Sequence, residues 1–196
     1  MKSLLDDLHD EARAELAAAI RLRRRLHESP ELGVVLPETQ RAVLEALGDL
    51  DAEIETGGAT SAVVATLRGA TPGPTILLRA DMDALPMKEE TGLAFASQHE
   101  GRMHACGHDA HVAMLAGAAR LLARRRNAFA GTVKLLFQPG EEGYAGAKAM
   151  IADGLFERFP ADEVYALHNW PGLPPGRIGI TPGPALFTQQ PALVWG

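Results

Sequence analysis

Two periodicities alternate along the chain. Residues 11–27 (EARAELAAAIRLRRRLH) carry apolar side chains near helical spacing, and the pattern stops before Pro30 and Gly33. Pro37 opens a second helical stretch, PETQRAVLEALGDL (37–50), at a first-turn position where its missing N–H costs little. SAVVATLRG (61–69) and PGPTILLRAD (72–81) predict strands, the latter because its apolar run is too short for a helix and is bounded by Pro, Gly and Asp. The helical pattern returns over Asp109–Arg126, with Arg120, Arg124, Arg125 and Arg126 near the end where cations complement the helix dipole. GTVKLLFQPG (131–140) predicts a third strand, Ala145–Phe159 a helix, EVYALHNW (163–170) a fourth strand and RIGITPG (177–183) a fifth. Strands separated by helices predict a layered α/β domain. The Pro/Gly-rich stretch 171–184 reads as a linker or boundary.

Composition narrows this picture. The chain has 196 residues, 46% hydrophobic and 22% charged, which excludes a disordered or collagen-like polymer. At about 150 residues per domain, one domain with a sizeable core is expected. Nineteen Lys and Arg against 25 Asp and Glu give a net charge of −6, which argues against nucleic acid or an anionic membrane as partner. Cys106 is the single cysteine, so no intrachain disulfide forms and a reducing compartment is the natural reading. The acidic, amphipathic N-terminus does not resemble a secretory signal. The longest apolar run, Val112–Ala119, is far shorter than the roughly 20 residues that span a bilayer. A cytoplasmic location is expected.

The polar residues of interest lie just past the apolar strands. Asp81 and Asp83 follow TILLRA, Glu141 and Glu142 follow KLLFQPG, and His168 follows VYAL. Open α/β sheets bind ligands outside the carboxyl ends of their strands, so these segments are placed to converge. A fourth segment, His104-Ala-Cys106-Gly-His108-Asp109-Ala-His111, precedes a helix. Thiolate and imidazole are good ligands for a borderline-soft divalent ion, and the glycine between them permits a tight bend. The bland reading is a buried thiol beside helix-capping groups, but three histidines and a cysteine within eight residues are hard to attribute to packing. Most Glu pairs are merely solvated; after a strand and a Pro-Gly break, one carboxylate can bind metal while its neighbour accepts a proton from water. His168 can supply a further ligand, Asp83 can orient an imidazole from behind, and Asp81 reads as a helix or turn cap. A competing chemistry makes Cys106 a nucleophile paired with His108 or His168, but it leaves the two glutamates unused. The arginines at 21–25 and 124–126 read as solvated helix faces.

Taken together, RADMDALP, GRMHACGHDAHVAML, FQPGEEGYAGAKAMI and LHNWP resemble the di-metal amidohydrolases that include hippurate hydrolase, indole-acetyl-amino-acid hydrolases and N-acetyl-diaminopimelate deacetylase. RRRLHESPELG, GGATSAVVATLRG and GRIGITPGPAL resemble that family too, in order from about residue 20 to residue 186. The resemblance implies a three-layer α/β/α catalytic domain with a mixed, mostly parallel sheet, as in zinc exopeptidases. It implies metal ligands at Cys106, His108, Glu142 and His168, a general base at Glu141, and an orienting residue at Asp83. Asp81 stands where distant relatives carry a histidine ligand, with the Cys-x-His pair as its substitute. The implied reaction is hydrolysis of the amide bond of an N-acyl amino acid, with two divalent ions per complete site. Manganese or zinc is favoured, and the donor set also accepts cobalt or nickel.

The resemblance stops after GPAL, where the chain reads FTQQPALVWG. Relatives continue into a lid or dimerisation domain and then return to supply a last histidine ligand, whereas no histidine follows His168 here. Residues 1–184 are therefore expected to form the N-terminal part of the catalytic domain, incomplete at the C-terminus, and 185–196 a divergent tail. The expectation is a truncated or frameshifted member. Its alternative is a non-catalytic metal-binding remnant or an interaction fragment.

Overall fold

The computed structural model describes residues 4–179. Among these residues, five α-helices, five strands and a short 3-10 turn follow in chain order: α1 (Leu4–Glu28), α2 (Pro37–Leu47), β1 (Glu53–Thr56), β2 (Val63–Arg68), β3 (Thr71–Asp81), α3 (His108–Arg124), the 3-10 turn (Arg126–Ala128), β4 (Ala130–Gln138), α4 (Gly146–Ala152), α5 (Leu155–Arg158) and β5 (Glu163–Ala166). The strands form one sheet in the order β1-β2-β4-β3-β5. The sheet is mixed, as expected, with its pairings evenly divided. β2 is antiparallel to β1 and β4, while β3 runs parallel to β4 and β5.

Alternation along the strands sorts side chains into two cores, which makes the three layers. Val63, Ala65 and Leu67 of β2 join Val133, Leu135 and Phe137 of β4 beneath α1, α2 and α3. Ala62, Val64, Leu77 and Leu136 face the other way, against Met150, Leu155 and Phe159 of α4, α5 and the segment after them. Such a period-two division is what a sheet covered on both faces requires. On α3, Val112, Leu115, Ala116 and Ala119 recur at helical spacing and point into the larger core.

Several elements depart from their expected bounds for physical reasons. The first helix begins by Leu4 rather than residue 11, and just after the added turns Glu11 and Glu15 bond Arg125 and Arg124. β1, an edge strand of sequence EIET with one half-buried apolar residue, carries too little alternation to be recognised. The expected helix 145–159 is two short helices, because Gly154 adopts a left-handed conformation (φ 81°) between them. The fourth strand stops at Ala166, before His168. Residues 177–179 are not in a strand, and the rest of the proposed fifth strand lies outside the described residues, as does the 185–196 tail. Among the described residues no helix is long and apolar enough to cross a membrane.

The parallel pairs position the functional segments. Asp81 at the end of β3 sits opposite Gln138 at the end of β4, and Arg79 opposite Ala166 at the end of β5. Asp83, Glu141, Glu142 and His168 all leave the sheet at this edge, and the N-terminus of α3 meets them there.

Candidate metal centre

A tight backbone bend starts the site. Gly107, just before α3, has φ 87°, and a Cβ there would come within 2.5 Å of the Asn169 side chain. Only glycine allows both the bend and the close approach of the 168–169 segment. Cys106 and His108 emerge on either side of it, and Cys106 Sγ lies 3.3 Å from His168 Nε2. His108 Nε2 lies 3.7 Å from Glu142 Oε1 and 3.9 Å from Glu141 Oε2. Donor atoms of Cys106, His108 and His168 cluster within 4.8 Å of one another, as do those of His108, Glu141 and Glu142. The six residues singled out from the sequence (Asp83, Cys106, His108, Glu141, Glu142 and His168) thus come together at one end of the sheet.

The fit to a cation rests on two atoms. His108 Nε2 and Glu142 Oε1 are buried, face each other, and form no hydrogen bond. Leaving such groups unpaired costs about 1–3 kcal/mol each, so an arrangement that keeps them so is built for a ligand both can share. The other His108 nitrogen, Nδ1, donates to the Asp83 carbonyl oxygen at 2.8 Å, which leaves the Nε2 lone pair for an ion. Burial alone would lower the proton affinity of the ring, yet Asp83, Cys106 and the Asp81 charge override it and push the His108 pKa up to about 11. The extra proton sits on Nε2, where a cation binding the ring would have to displace it.

Asp83 touches the site through two groups. Its carbonyl, not its carboxylate, orients the His108 imidazole; the carboxylate accepts the backbone N–H groups of Glu141 and Glu142, each at 2.8 Å. It thereby fixes both glutamates relative to His108. Partial burial, then the neighbouring Glu142 charge, raise the Glu141 carboxyl above the usual range, which suits a proton acceptor.

Asp81 is not a turn cap. It ends β3, and its carboxylate accepts Arg79 Nη1 at 2.7 Å and His111 Nδ1 at 2.6 Å. Burial pushes its carboxyl up, but the His111 hydrogen bond and the Arg79 charge win and hold it well below the usual carboxylate range. Asp81, His108 and His111 form a third group of potential ligands. It suits an ion less well, because both Asp81 oxygens and both His111 nitrogens are already engaged.

A second polar cluster lies behind the same helix turn. Asp109 Oδ2 pairs with Arg23 Nε and His27 Nδ1, both at 2.7 Å, and His27 Nε2 lies 3.1 Å from Glu89 Oε1. Arg23 is therefore a partly buried partner of buried Asp109 rather than a solvated helix face, and Arg124, Arg125 and Arg126 pair with Glu15, Glu11 and Asp51. Arg79, Asn169, Arg23, His27 and Glu89 were given no site role from the sequence, and His111 and Asp109 stood there only as members of the histidine-rich segment. Two signals were present: an arginine inside an apolar strand two residues before Asp81, and a histidine three residues after His108 on the same helix face.

Residues 77–191, more than half of the chain, match the family described as Peptidase family M20/M25/M40. The chain belongs to this family. A relative in Saccharolobus solfataricus, thermostable carboxypeptidase 1, is 43% identical over 190 residues, covering 95% of this chain and 48% of its own length. The hippurate hydrolase of Campylobacter jejuni is 45% identical over 151 residues, covering 77% of this chain and 39% of its own. Among solved structures, the Bacillus subtilis YXEP protein, a dinuclear metal binding peptidase of the M20 family, superposes with a TM-score of 0.82 at 42% identity, covering 88% of this chain and 48% of that one. The chain spans about half the length of the curated relatives it matches. The resemblance to metal-dependent amidohydrolases and the layered α/β fold both hold at the level of the M20 family.

Proposed function

We propose that this M20-family chain carries the metal-binding site of an amidohydrolase that cleaves the amide bond of N-acyl amino acids. The observation that carries this reading is the buried pair His108 Nε2 and Glu142 Oε1, 3.7 Å apart, unbonded, and flanked by Cys106, His168 and Glu141. Cys106, His108, Glu142 and His168 would hold a divalent ion; these donors accept zinc, manganese, cobalt or nickel, and the resemblance to the amidohydrolases favours manganese or zinc. Bound there, the ion supplies Lewis acidity toward the amide carbonyl and the attacking water. Glu141, half-exposed at the mouth of the cluster, takes the proton of that water and delivers it to the departing amine. Asp83 keeps Glu141 and Glu142 in place through their backbone N–H groups. The small N-acyl amino acid is the partner, with neither nucleic acid nor membrane. A thiolate ligand suits a reducing, cytoplasmic compartment.

The test is release of free amino acid from hippurate, from N-acetyl amino acids and from a short peptide with a free carboxyl end, with Mn²⁺ or Zn²⁺ added. Turnover of the N-acyl substrates that EDTA stops and metal restores is the expected result. Turnover untouched by chelator but stopped by thiol alkylation would replace it with a cysteine nucleophile, for which Cys106 and His168 are also close enough.

A second reading, metal binding without turnover, is favoured by one observation. β5 is exposed along its length, with Val164, Tyr165 and, just beyond it, Leu167 and Trp170 each more than half exposed. Stoichiometric metal without turnover of any of the three substrates would establish that reading.

A further inference from the structure

The chain leaves the sheet at Ala166, two residues before His168, and β5 has only four residues. Something beyond the strand must therefore aim the His168 ring at Cys106. The backbone N–H of Asn169 donates to His111 Nε2 at 3.1 Å, and His168 Nδ1 lies 2.6 Å from the Asn169 carbonyl oxygen. These two contacts fix the 168–169 peptide and leave His168 Nε2 facing Cys106 Sγ. The His111 and His168 rings also meet edge to face, with centroids 4.7 Å apart.

His111 can accept that N–H only if its own proton sits on Nδ1. Asp81 ensures this, because its Oδ1 takes the Nδ1–H at 2.6 Å while Arg79 binds Oδ2 and, through Nε, the Gln138 side chain of the neighbouring strand. The result is a chain of contacts from two strand ends, through His111, to the loop that carries His168. Both Asp81 and His111 are almost completely buried.

We propose that His111, held in one tautomer by Asp81, is a positioning residue for His168: it fixes the 168–169 peptide so that the His168 ring completes the metal site with Cys106. The inference rests on His168 being a metal ligand. It extends that reading by giving the loop histidine a dedicated support on α3.

Titration of the 196-residue chain with Co²⁺, read by the thiolate-to-cobalt charge-transfer absorption that reports the Cys106–metal bond, tests it without any assay of turnover. His168→Ala is measured first. If it leaves Co²⁺ affinity unchanged, His168 is no ligand and the underlying reading falls. If it weakens affinity, His111→Phe is expected to weaken it about 10-fold, as loss of a ligand's supporting partner does. The double variant His111→Phe/His168→Ala should then bind no more weakly than His168→Ala alone, since the two losses share one cause. His111→Gln, whose amide oxygen can accept the Asn169 N–H, should recover most of the affinity. Additive losses in the double variant, or unchanged affinity in His111→Phe, overturn the proposal. Should the phenyl ring prevent folding, as read by circular dichroism, His111→Leu takes its place in the same cycle.

Discussion

His108 and Asp109 are neighbours in the chain, yet they face two polar clusters of opposite character. Behind α3, Asp109 and Glu89 are matched by Arg23 and His27 at 2.7–3.1 Å, so each negative charge has a positive or donating partner. In front, Asp81, Asp83, Glu141, Glu142 and the Cys106 thiol surround His108, with Arg79 as the one arginine that pairs there among the described residues. The rear cluster joins α1 to α3 through Asp109 Oδ2, which takes both Arg23 and His27, while Asp109 Oδ1 stays buried without a hydrogen bond. The front cluster has surplus acceptors and two buried atoms left unbonded. Balanced charge at a helix start marks a structural clamp; uncompensated acceptors in one marks a place for a cation.

The comparison can be broken in four ways, beginning with the largest effect. Glu141→Gln should lower turnover of an N-acyl amino acid by about 10²–10⁴-fold, the usual worth of a general base, while metal content by elemental analysis stays the same. Unchanged turnover would show that the front cluster works without this carboxylate. Asp109→Ala leaves Arg23 and His27 without their shared partner, and chemical denaturation of the metal-free chain should show a loss of about 3 kcal/mol. A much smaller loss would mean that the rear cluster is no clamp.

Metal should stabilise the front alone. At a free ion concentration about 100 times its Kd, the gain is about 2.7 kcal/mol, seen as a higher Tm that EDTA reverses. The Asp109→Ala chain should retain that gain, whereas Glu142→Gln should lose most of it. The smallest effect sharpens the contrast further. Glu142→Gln removes a negative charge from a crowd of like charges, so the stability of the metal-free chain should change by no more than about 0.5 kcal/mol in denaturation. A large loss there would show that Glu142 is a structural partner in the metal-free chain.

Much of this was legible beforehand, and the residues show why. Strands such as Val63–Arg68 carry dense apolar runs that survive any context, and a Cys-Gly-His step just before a helix has few structural explanations. β1 escaped notice because a short edge strand buries little, and the split of the 145–159 helix depended on one glycine taking a left-handed turn. The arginines were misjudged for a deeper reason. Arg23 and Arg25 look alike in sequence, but one meets buried Asp109 and the other surface Glu45, and only packing separates them.

Local chemistry along the chain determined the layered α/β class, the ends of most strands, and the identity of the residues gathered at one sheet edge. These follow from short-range periodicity and from side-chain types that have few other uses. Tertiary structure alone decided how the polar groups divide. Asp83 serves His108 with its carbonyl and the glutamates with its carboxylate, Asp81 accepts from His111 and Arg79, and Asp109 turns away from the site its neighbour builds. Hydrogen-bond partners 25 to 82 residues apart in sequence are chosen by the approach of separate elements within about 3 Å, a distance that no pattern along a single segment encodes.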